Sequence, residues 1–167
     1  SLPEEQPAEP TVKKKDLSVV TCWEEPSGPK LIKSPERVSS NGQKRAYIEV
    51  ETFGFPPTTT AGLTNFCSNV SRLYVRLDNQ QPQLVFLQEP TPWQLGNGLK
   101  LVDWSPDDRF LLLELWEWQH FSDSIGNSLL LYDSITRSAI KIDQNRLLSI
   151  TLGKKCYAFI KALGFSP

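Results

Sequence analysis

The residue types that most often bind zinc are scarce in this chain, which has three cysteines and one histidine among its 167 residues. Cys22, Cys67 and Cys156 lie far apart, and no two of them form a Cys-x-x-Cys pair. A structural zinc site usually needs about four ligands in closely spaced pairs. We therefore expect the protein to use no metal and no cofactor.

Nucleophilic catalysis would depend on His120, because a Ser-His-Asp or Cys-His arrangement has no other imidazole to use as its base. The chain also lacks the Gly-x-Ser-x-Gly sequence that presents a nucleophilic serine in many hydrolases. We interpret His120 as a polar residue in a loop between strands. No catalytic residue is predicted, and a binding function is favoured over an enzymatic one.

Several carboxylates are candidates for the acid/base pair of a glycosidase. Such a pair must lie about 5–10 Å apart in a cleft, and spacing along the chain does not establish this distance. Turn and strand-end positions give some of these carboxylates a simpler, structural role. The candidates are Asp103, Asp107, Asp108, Glu114, Glu117, Asp123 and Asp133.

A cluster of aromatic residues is the strongest candidate for a binding surface. Exposed aromatic patches often mark surfaces that stack on sugars or dock peptides. Packing in the core is nevertheless the favoured interpretation for tryptophans between stacked sheets, with Trp118, Phe121 and the loop 119–127 as the expected exceptions. The predicted binding surface consists of Trp116, Trp118, His120 and Phe121.

Composition limits the class of protein that can hold these residues. The chain is 39% hydrophobic and 22% charged, and its 18 basic and 19 acidic residues give a net charge of -1. No apolar run approaches the roughly 18–20 residues of a membrane-spanning helix. Affinity for nucleic acid comes largely from clustered Lys and Arg, and no such cluster dominates. We expect one globular domain that neither spans a membrane nor binds nucleic acid.

The chain divides into a short tether and one all-β domain. Residues 1–16 combine three prolines, three glutamates and three lysines with almost no apolar side chain, which predicts disorder. From residue 17 to 167, short runs rich in Val, Ile, Tyr, Phe and Trp alternate with turn residues, which predicts strands. The predicted strands are 44–52, 72–77, 83–88, 99–104, 109–118, 128–133, 139–142, 147–151 and 156–163.

The segment 109–120 is the one serious candidate for a helix, since its Leu, Glu and Trp residues suit either state. The preceding Ser105-Pro106-Asp107-Asp108 sequence is typical of a turn. A strand that is apolar on both faces is expected where sheets are stacked on both sides. These flanks favour a strand.

A weak internal repeat organises the domain. Residues 39–50 align with 104–115 at an offset of 65, so that a turn, a basic residue, an apolar strand and a glutamate coincide. Further on, 72–78 align with 128–134 at an offset of 56. Each copy is predicted to be a four-stranded antiparallel meander. The predicted units are about 30–89, about 99–142 and a partial third at about 147–167.

The glutamates that coincide in this repeat are Glu49 and Glu114. A charge inside an otherwise apolar strand is expected to find a partner or to face water. The alignment therefore predicts equivalent positions for the two carboxylates.

Residues 102–113, with the sequence Val-Asp-Trp-Ser-Pro-Asp-Asp-Arg-Phe-Leu-Leu-Leu, and the later Leu-Tyr-Asp at 131–133 resemble a known blade pattern. The pattern belongs to TolB-type and WD-like β-propellers, and it is similar to blades of the prolyl-oligopeptidase-class peptidases. Position 108 departs from it, with Asp in place of the usual Gly. The resemblance implies two and a partial propeller blades; an irregular β-sandwich or barrel is the alternative fold.

The resemblance implies a non-catalytic binding or scaffolding module, because propellers commonly serve as interaction platforms. The alternative is a fragment of a propeller-containing hydrolase, either a peptidase or a carboxylate-based glycosidase. Propellers close with about 4–8 blades, so we expect a protein partner or self-association through the terminal strands, particularly 156–165.

An extracytoplasmic location, periplasmic or secreted, is expected from the tether and the resemblance. In that compartment Cys22 and Cys67 are a candidate disulfide, since both lie in turn-rich segments. Asn69-Val70-Ser71 has the sequence of an N-glycosylation acceptor, which we interpret as a chance match.

Overall fold

Alternation of apolar and polar residues produces the strands of this protein, as residues 44–54 illustrate. Ala46, Ile48 and Val50 are buried, and the residues between them point to the opposite side. The structure, a computed structural model, describes residues 30–54, 67–90, 96–118, 125–153 and 162–166. Its elements are β1 (Lys30–Lys33), β2 (Arg37–Val38), β3 (Lys44–Gly54), β4 (Cys67–Leu77), β5 (Gln83–Gln88), β6 (Gly96–Trp104), β7 (Phe110–Trp118), β8 (Ile125–Asp133), β9 (Ser138–Ile142) and α1 (Gln144–Leu152).

These strands form two antiparallel meanders. Sheet 1 has the order β1-β3-β4-β5, and β2 pairs with the same edge of β3 as β1 does, nearer to the start of that strand. Sheet 2 has the order β6-β7-β8-β9. We call residues 39–43, between β2 and β3, turn 1, and residues 105–109, between β6 and β7, turn 2. The predicted all-β class with antiparallel meanders is confirmed; sheet 2 has the predicted four strands, and sheet 1 has five because β1 and β2 both pair with β3.

The segment 109–120, for which a helix is the alternative to a strand, forms strand β7 over its described residues. This strand pairs with β6 on one side and with β8 on the other. The prediction for 147–151 was wrong, because a helix covers it. The Asp143 side chain accepts a hydrogen bond from the Arg146 N–H at the start of this helix, and Gly153 ends it with φ of 65°. These two caps favour a helix over the strand propensity of Ile150 and Thr151. The partial third unit therefore does not begin with a strand.

The two sheets stack so that one face of each forms the core. We call the face of sheet 1 that carries Ala46, Ile48 and Val50 its front face, and the face of sheet 2 that carries Leu111, Leu113 and Leu115 its back face. These two faces pack against each other. The back of sheet 1 and the front of sheet 2 point outward. The core side chains of sheet 1 are Ala46, Ile48, Val50, Leu73 and Val75. Those of sheet 2 are Leu99, Trp104, Leu111, Leu113, Leu115, Leu130 and Tyr132.

Candidate functional site

Turns 1 and 2 have the same hydrogen bonds. In turn 1 the Ser39 N–H donates to the Lys44 carbonyl (2.9 Å), and the Ser39 hydroxyl accepts the Lys44 N–H (3.0 Å). In turn 2 the Ser105 N–H donates to the Phe110 carbonyl (2.7 Å), and the Ser105 hydroxyl accepts the Phe110 N–H (2.8 Å). Each turn thus closes its hairpin through a serine that bonds twice to the first residue of the next strand.

Asp108 joins the two turns. Its backbone has φ of 56°, a conformation that Asp adopts more readily than most residues. Its carboxylate accepts the N–H groups of Ser40 (2.7 Å) and Asn41 (3.1 Å) in turn 1. The Lys44 ammonium donates to the Asp108 carbonyl (2.6 Å) and to the Ser134 hydroxyl (2.9 Å). Asp108 therefore binds one sheet to the other through its side chain, which a glycine at this position would not have.

The equivalent positions differ by 66 residues in these turns, since Ser39 corresponds to Ser105 and Gly42 to Asp108. The predicted offset of 65 was one residue too small. A shift of one residue moves a strand side chain to the other face of its sheet. Glu114 therefore occupies the place of Ile48, and it is not equivalent to Glu49 as the alignment had predicted.

Two buried asparagines connect the sheets at the other end. Asn69 in β4 is 0% exposed, and its amide oxygen accepts the Asn97 N–H (3.0 Å) of β6. The Asn69 amide nitrogen donates to the Asn97 carbonyl, and the Asn97 amide donates to the Asn69 carbonyl (3.1 Å). The nitrogen that a glycosyltransferase would modify is thus buried and bonded, which agrees with the interpretation of the sequon as a chance match.

The front face of sheet 2 consists of apolar rows that run across its strands. Directly paired residues lie on the same face of a sheet, and here the pairs place most of the side chains in half-buried positions. Ile140 is more open, with 59% of its surface exposed. The apolar residues of this face are Phe110, Leu112, Trp116, Leu129, Leu131, Ile140 and Ile142.

Glu114 lies in the middle of the front face of sheet 2, where it is 1% exposed. Its carboxylate accepts the Ala162 N–H (2.7 Å), and the Lys100 ammonium lies 3.9 Å from it on the same face. A buried carboxylate needs such partners because burial penalises its charge. The contact with Ala162 places the described C-terminal residues, 162–166, over this face.

Two residues of the predicted binding surface belong to the same face. Trp116 is half-buried, and its indole N–H is buried with no acceptor within the described part of the chain. Trp118 lies on Gly96 of the paired strand, where an added Cβ would overlap the indole. His120 and Phe121 lie outside the described residues. Trp104 is a core residue, in agreement with the favoured interpretation of the tryptophans.

The back face of sheet 1 differs in composition, because charged and aromatic residues alternate along its central strands. Its middle row is Tyr47, Tyr74 and Leu84, with the tyrosine rings stacked 5.2 Å apart. Burial is the main cause that raises the pKa of Tyr47, and the charge of Glu49 adds to it. We call this surface the tyrosine-arginine face. Its other charged residues are Lys33, Glu36, Arg45, Glu51, Arg72 and Arg76.

The remaining candidate carboxylates have structural partners. The guanidinium of Arg109 binds both oxygens of Asp133 (3.2 and 2.8 Å) and holds the pKa of Asp133 below its usual range. Asp107 accepts the Ser105 hydroxyl inside turn 2, which lowers the pKa of Asp107. Glu117 pairs with Lys141 at 2.9 Å.

The remaining candidates are Asp103, Asp123 and the proposed disulfide. Asp103 accepts the N–H of its neighbour Trp104 (2.9 Å), and Asp123 lies outside the described residues. Of the proposed disulfide, Cys22 lies outside the described residues, and for Cys67 only the place of the backbone at the start of β4 is known.

Within the described ranges, no group of three or more His, Cys, Asp or Glu side chains is placed to hold a metal ion. Over the same ranges, no helix has both the length and the apolarity that crossing a membrane requires. Comparisons of the chain with protein-family models, with curated proteins and with solved structures found no match.

Sequence reasoning missed the tyrosine-arginine face, although its signal was present. Along β3, Arg45, Tyr47, Glu49 and Glu51 recur at every second residue, and the even positions of β4 supply the residues opposite them. A period of two places all of them on one side of the sheet. The apolar residues alone predict these strands, and they carry no information about the polar side.

Proposed function

We propose that the chain is a non-catalytic binding or scaffolding module built from propeller-like blades, and that it binds protein partners or further copies of itself. The meander order of both sheets, their stacking front to back, and the matching bonds of turns 1 and 2 support this proposal. The alternative, a fragment of a propeller-containing hydrolase, has no comparable contact in its favour among the described residues.

The front face of sheet 2 is the observation that carries the proposal. Ala46 and Ile48 on the front face of sheet 1 are 0% and 1% exposed, because sheet 2 packs on them. The equivalent positions of sheet 2, at an offset of 66, are Leu112 and Glu114. Glu114 is 1% exposed beneath Ala162, but Leu112 is only half-buried, so the described structure covers this face in part and its counterpart fully. Apolar faces of this kind are typical of interaction surfaces.

Trp116 and Trp118 support the same surface. Both are aromatic residues of a kind that often anchors interfaces, and the Trp116 indole N–H has no acceptor among the residues described. A partner that brings a carbonyl to this indole would satisfy the buried donor. His120 and Phe121 are proposed to extend the surface. In the sequence they are the second and third residues after the end of β7.

The C-terminal residues are proposed to contribute to binding on this face. Self-association through segment 156–165 remains a proposal, and the hydrogen bond from the Ala162 N–H to Glu114 brings the described end of this segment, 162–165, to the same face within one chain. An extracytoplasmic location remains a proposal that rests on the sequence of the tether and on the propeller resemblance.

Light scattering from micromolar concentration downward tests the proposal, together with the fluorescence of bis-ANS, a dye that reports exposed apolar surface. We expect self-association, or dye binding by a monomer, that Ile140→Glu weakens about tenfold, equivalent to about 1.4 kcal/mol. Ile135→Glu is the matched control, because Ile135 is 70% exposed in the turn between β8 and β9, outside the front face. A monomer that binds no dye, or equal effects of the two substitutions, would refute the proposal.

A further inference from the structure

The tyrosine-arginine face has an excess of positive charge at one side of its tyrosine row. Arg45 and Arg76 are directly opposite each other in the β3-β4 register. Both approach the same carboxylate, that of Glu36, at 3.3 Å from Arg45 and 4.0 Å from Arg76. Like charges in opposed positions repel each other, and one carboxylate does not neutralise two guanidinium groups.

Arg76 has a further unsatisfied group. Its Nε atom is buried and has no hydrogen-bond acceptor within the described ranges of the chain. A guanidinium binds a carboxylate best through two parallel N–H groups, and a buried donor without an acceptor carries a desolvation penalty. The arginine pair is therefore suited to a second carboxylate.

Charges on the other side of the tyrosine row are already paired. Arg72 binds Glu51 at 2.8 Å, and the Lys33 ammonium lies 3.5 Å from the centre of the Tyr47 ring. Glu49 is opposite Arg72 in the register and opposite Lys33 on the other strand. Positive charge that no carboxylate neutralises is thus confined to the side of Arg45 and Arg76.

Apolar side chains border the same face. Leu84 lies beside Tyr74 in the register and Leu87 beside Arg72, and a bulge in the pairing of β4 with β5 brings both leucines to this side. They are 49% and 43% exposed. Tyrosine and arginine are enriched at the centres of protein interfaces, where exposed leucines supply additional apolar area.

We propose that the tyrosine-arginine face binds an acidic protein segment that places a carboxylate between Arg45 and Arg76 and apolar side chains on Leu84 and Leu87. The proposal goes beyond the proposed function, because it concerns the opposite end of the sheet stack and a different chemistry from the apolar front face. Glu36, Glu49 and Glu51 confine the unneutralised positive charge to the arginine pair, and Leu84 and Leu87 border it, which suits a segment that carries both carboxylates and apolar side chains better than a continuous phosphate backbone.

Fluorescence anisotropy with the full chain and three labelled probes tests this proposal. The probes are a twelve-residue peptide of alternating Glu and Leu, the same peptide with Lys in place of Glu, and a twelve-nucleotide oligo-dT. We expect the Glu peptide to bind at least about tenfold more tightly than either of the others, and salt to weaken its binding. Equal binding of the Lys peptide, or tighter binding of oligo-dT, would overturn the proposal.

Variants assign the binding to the arginine pair. The double substitution Arg45→Gln/Arg76→Gln is expected to weaken binding of the Glu peptide about tenfold or more, since two charge-assisted contacts are lost. Arg146→Gln, on the exposed surface of α1, is the matched control and is expected to leave the affinity unchanged. Circular dichroism establishes that each variant is folded.

Glu36→Gln separates a binding role from a merely structural one. The substitution removes the carboxylate that both guanidinium groups approach. We therefore expect the Glu peptide to bind about 2–5-fold more tightly. Unchanged or weaker binding would overturn the proposal even if the arginine variants lose affinity. Ile140→Glu changes only the front face of sheet 2. If the self-association and dye experiment fails, the proposed function fails, and the result of the peptide-binding experiment is not affected.

Discussion

The two outward faces of the molecule differ, although the sheets that carry them share the same strand order. On the back of sheet 1, two tyrosines stack and Arg72 pairs with Glu51, whereas Arg45 and Arg76 share the single carboxylate of Glu36. On the front of sheet 2, apolar rows surround the buried Glu114, and only part of the face is covered. The same topology thus ends in one face that is charged and aromatic and in one face that is mainly apolar.

The difference also shows which contacts are specific to the junction between the sheets. Asp108 binds turn 1, and its equivalent in turn 1 is Gly42, which has no side chain to bind a preceding sheet. Lys44 binds turn 2 and Ser134, and its equivalent is Phe110. A second copy stacked front to back would therefore lack the polar contacts that hold sheet 1 and sheet 2 together.

The two sides of β7 offer the strongest test of this comparison. Leu113→Ala removes a fully buried side chain between the sheets, and we expect a loss of about 2–5 kcal/mol in the free energy of unfolding. Leu112→Ala, one residue away on the half-buried front face, is expected to cost about 1–2 kcal/mol. Urea denaturation measures both. Equal losses would show that the front face is as well packed as the interface.

Asn69→Ala tests the amide pair at the other end of the interface and is expected to cost about 2–3 kcal/mol. The substitution leaves the N–H of Asn97 buried without its acceptor, and such groups carry the full desolvation penalty. Asn127→Ala, at a half-buried position of the outward face, is the control for loss of an asparagine. A loss for Asn69→Ala no greater than that of the control would show that the pair adds little to the junction.

The strands were predictable because period-two alternation and turn residues determine them locally. The predicted 83–88 agrees fully with the structure, and 109–118 differs from β7 by one residue. The helix was not predicted, since Ile150 and Thr151 have strand propensity, although Asp143 and Gly153 are of the residue types that cap helices. Local signals of opposite sign were present, and the caps proved decisive.

The candidate site was less predictable, because face assignment depends on exact register. Matching letters gave an offset of 65, whereas the hydrogen bonds of turns 1 and 2 give 66, and this one residue transfers Glu114 to the outward face. Trp116 and Trp118 were selected for residue type, and pairing with β6 places both on the front face. Whether they bind a partner remains a prediction. The arginine pair requires knowledge of which strands are neighbours, which sequence alone does not supply.

Exchanging the residues at the equivalent positions of the two turns sharpens the comparison further. Asp108→Gly is expected to cost about 1–2 kcal/mol, because the lost contacts to two N–H groups outweigh the relief of a positive φ. Gly42→Asp is expected to cost less, about 0–1 kcal/mol, since an added Cβ meets nothing within 4 Å and Asp accepts φ of 75°. Thermal unfolding of both variants gives the comparison. A greater loss for Gly42→Asp would show that backbone strain, and not the contact between turns, determines stability here.

The smallest effect is expected from the ion pair of Arg109 and Asp133, which is exposed and therefore screened by solvent. Hydrogen bonds from Arg109 lower the pKa of Asp133 in the folded protein. The pair therefore stabilises the fold at pH values above 3.8, the usual pKa of an Asp carboxyl. This contribution is lost as the pH falls through the lower pKa of the folded state. Asp133→Asn should therefore reduce the drop in urea midpoint between pH 6 and pH 3. Asp107, whose pKa is also lowered, leaves some dependence in the variant. Glu89→Gln, at an exposed position directly after β5, is the control for loss of one charge. If both variants retain the full pH dependence, the pair at the end of sheet 2 contributes nothing that an unpaired surface carboxylate does not.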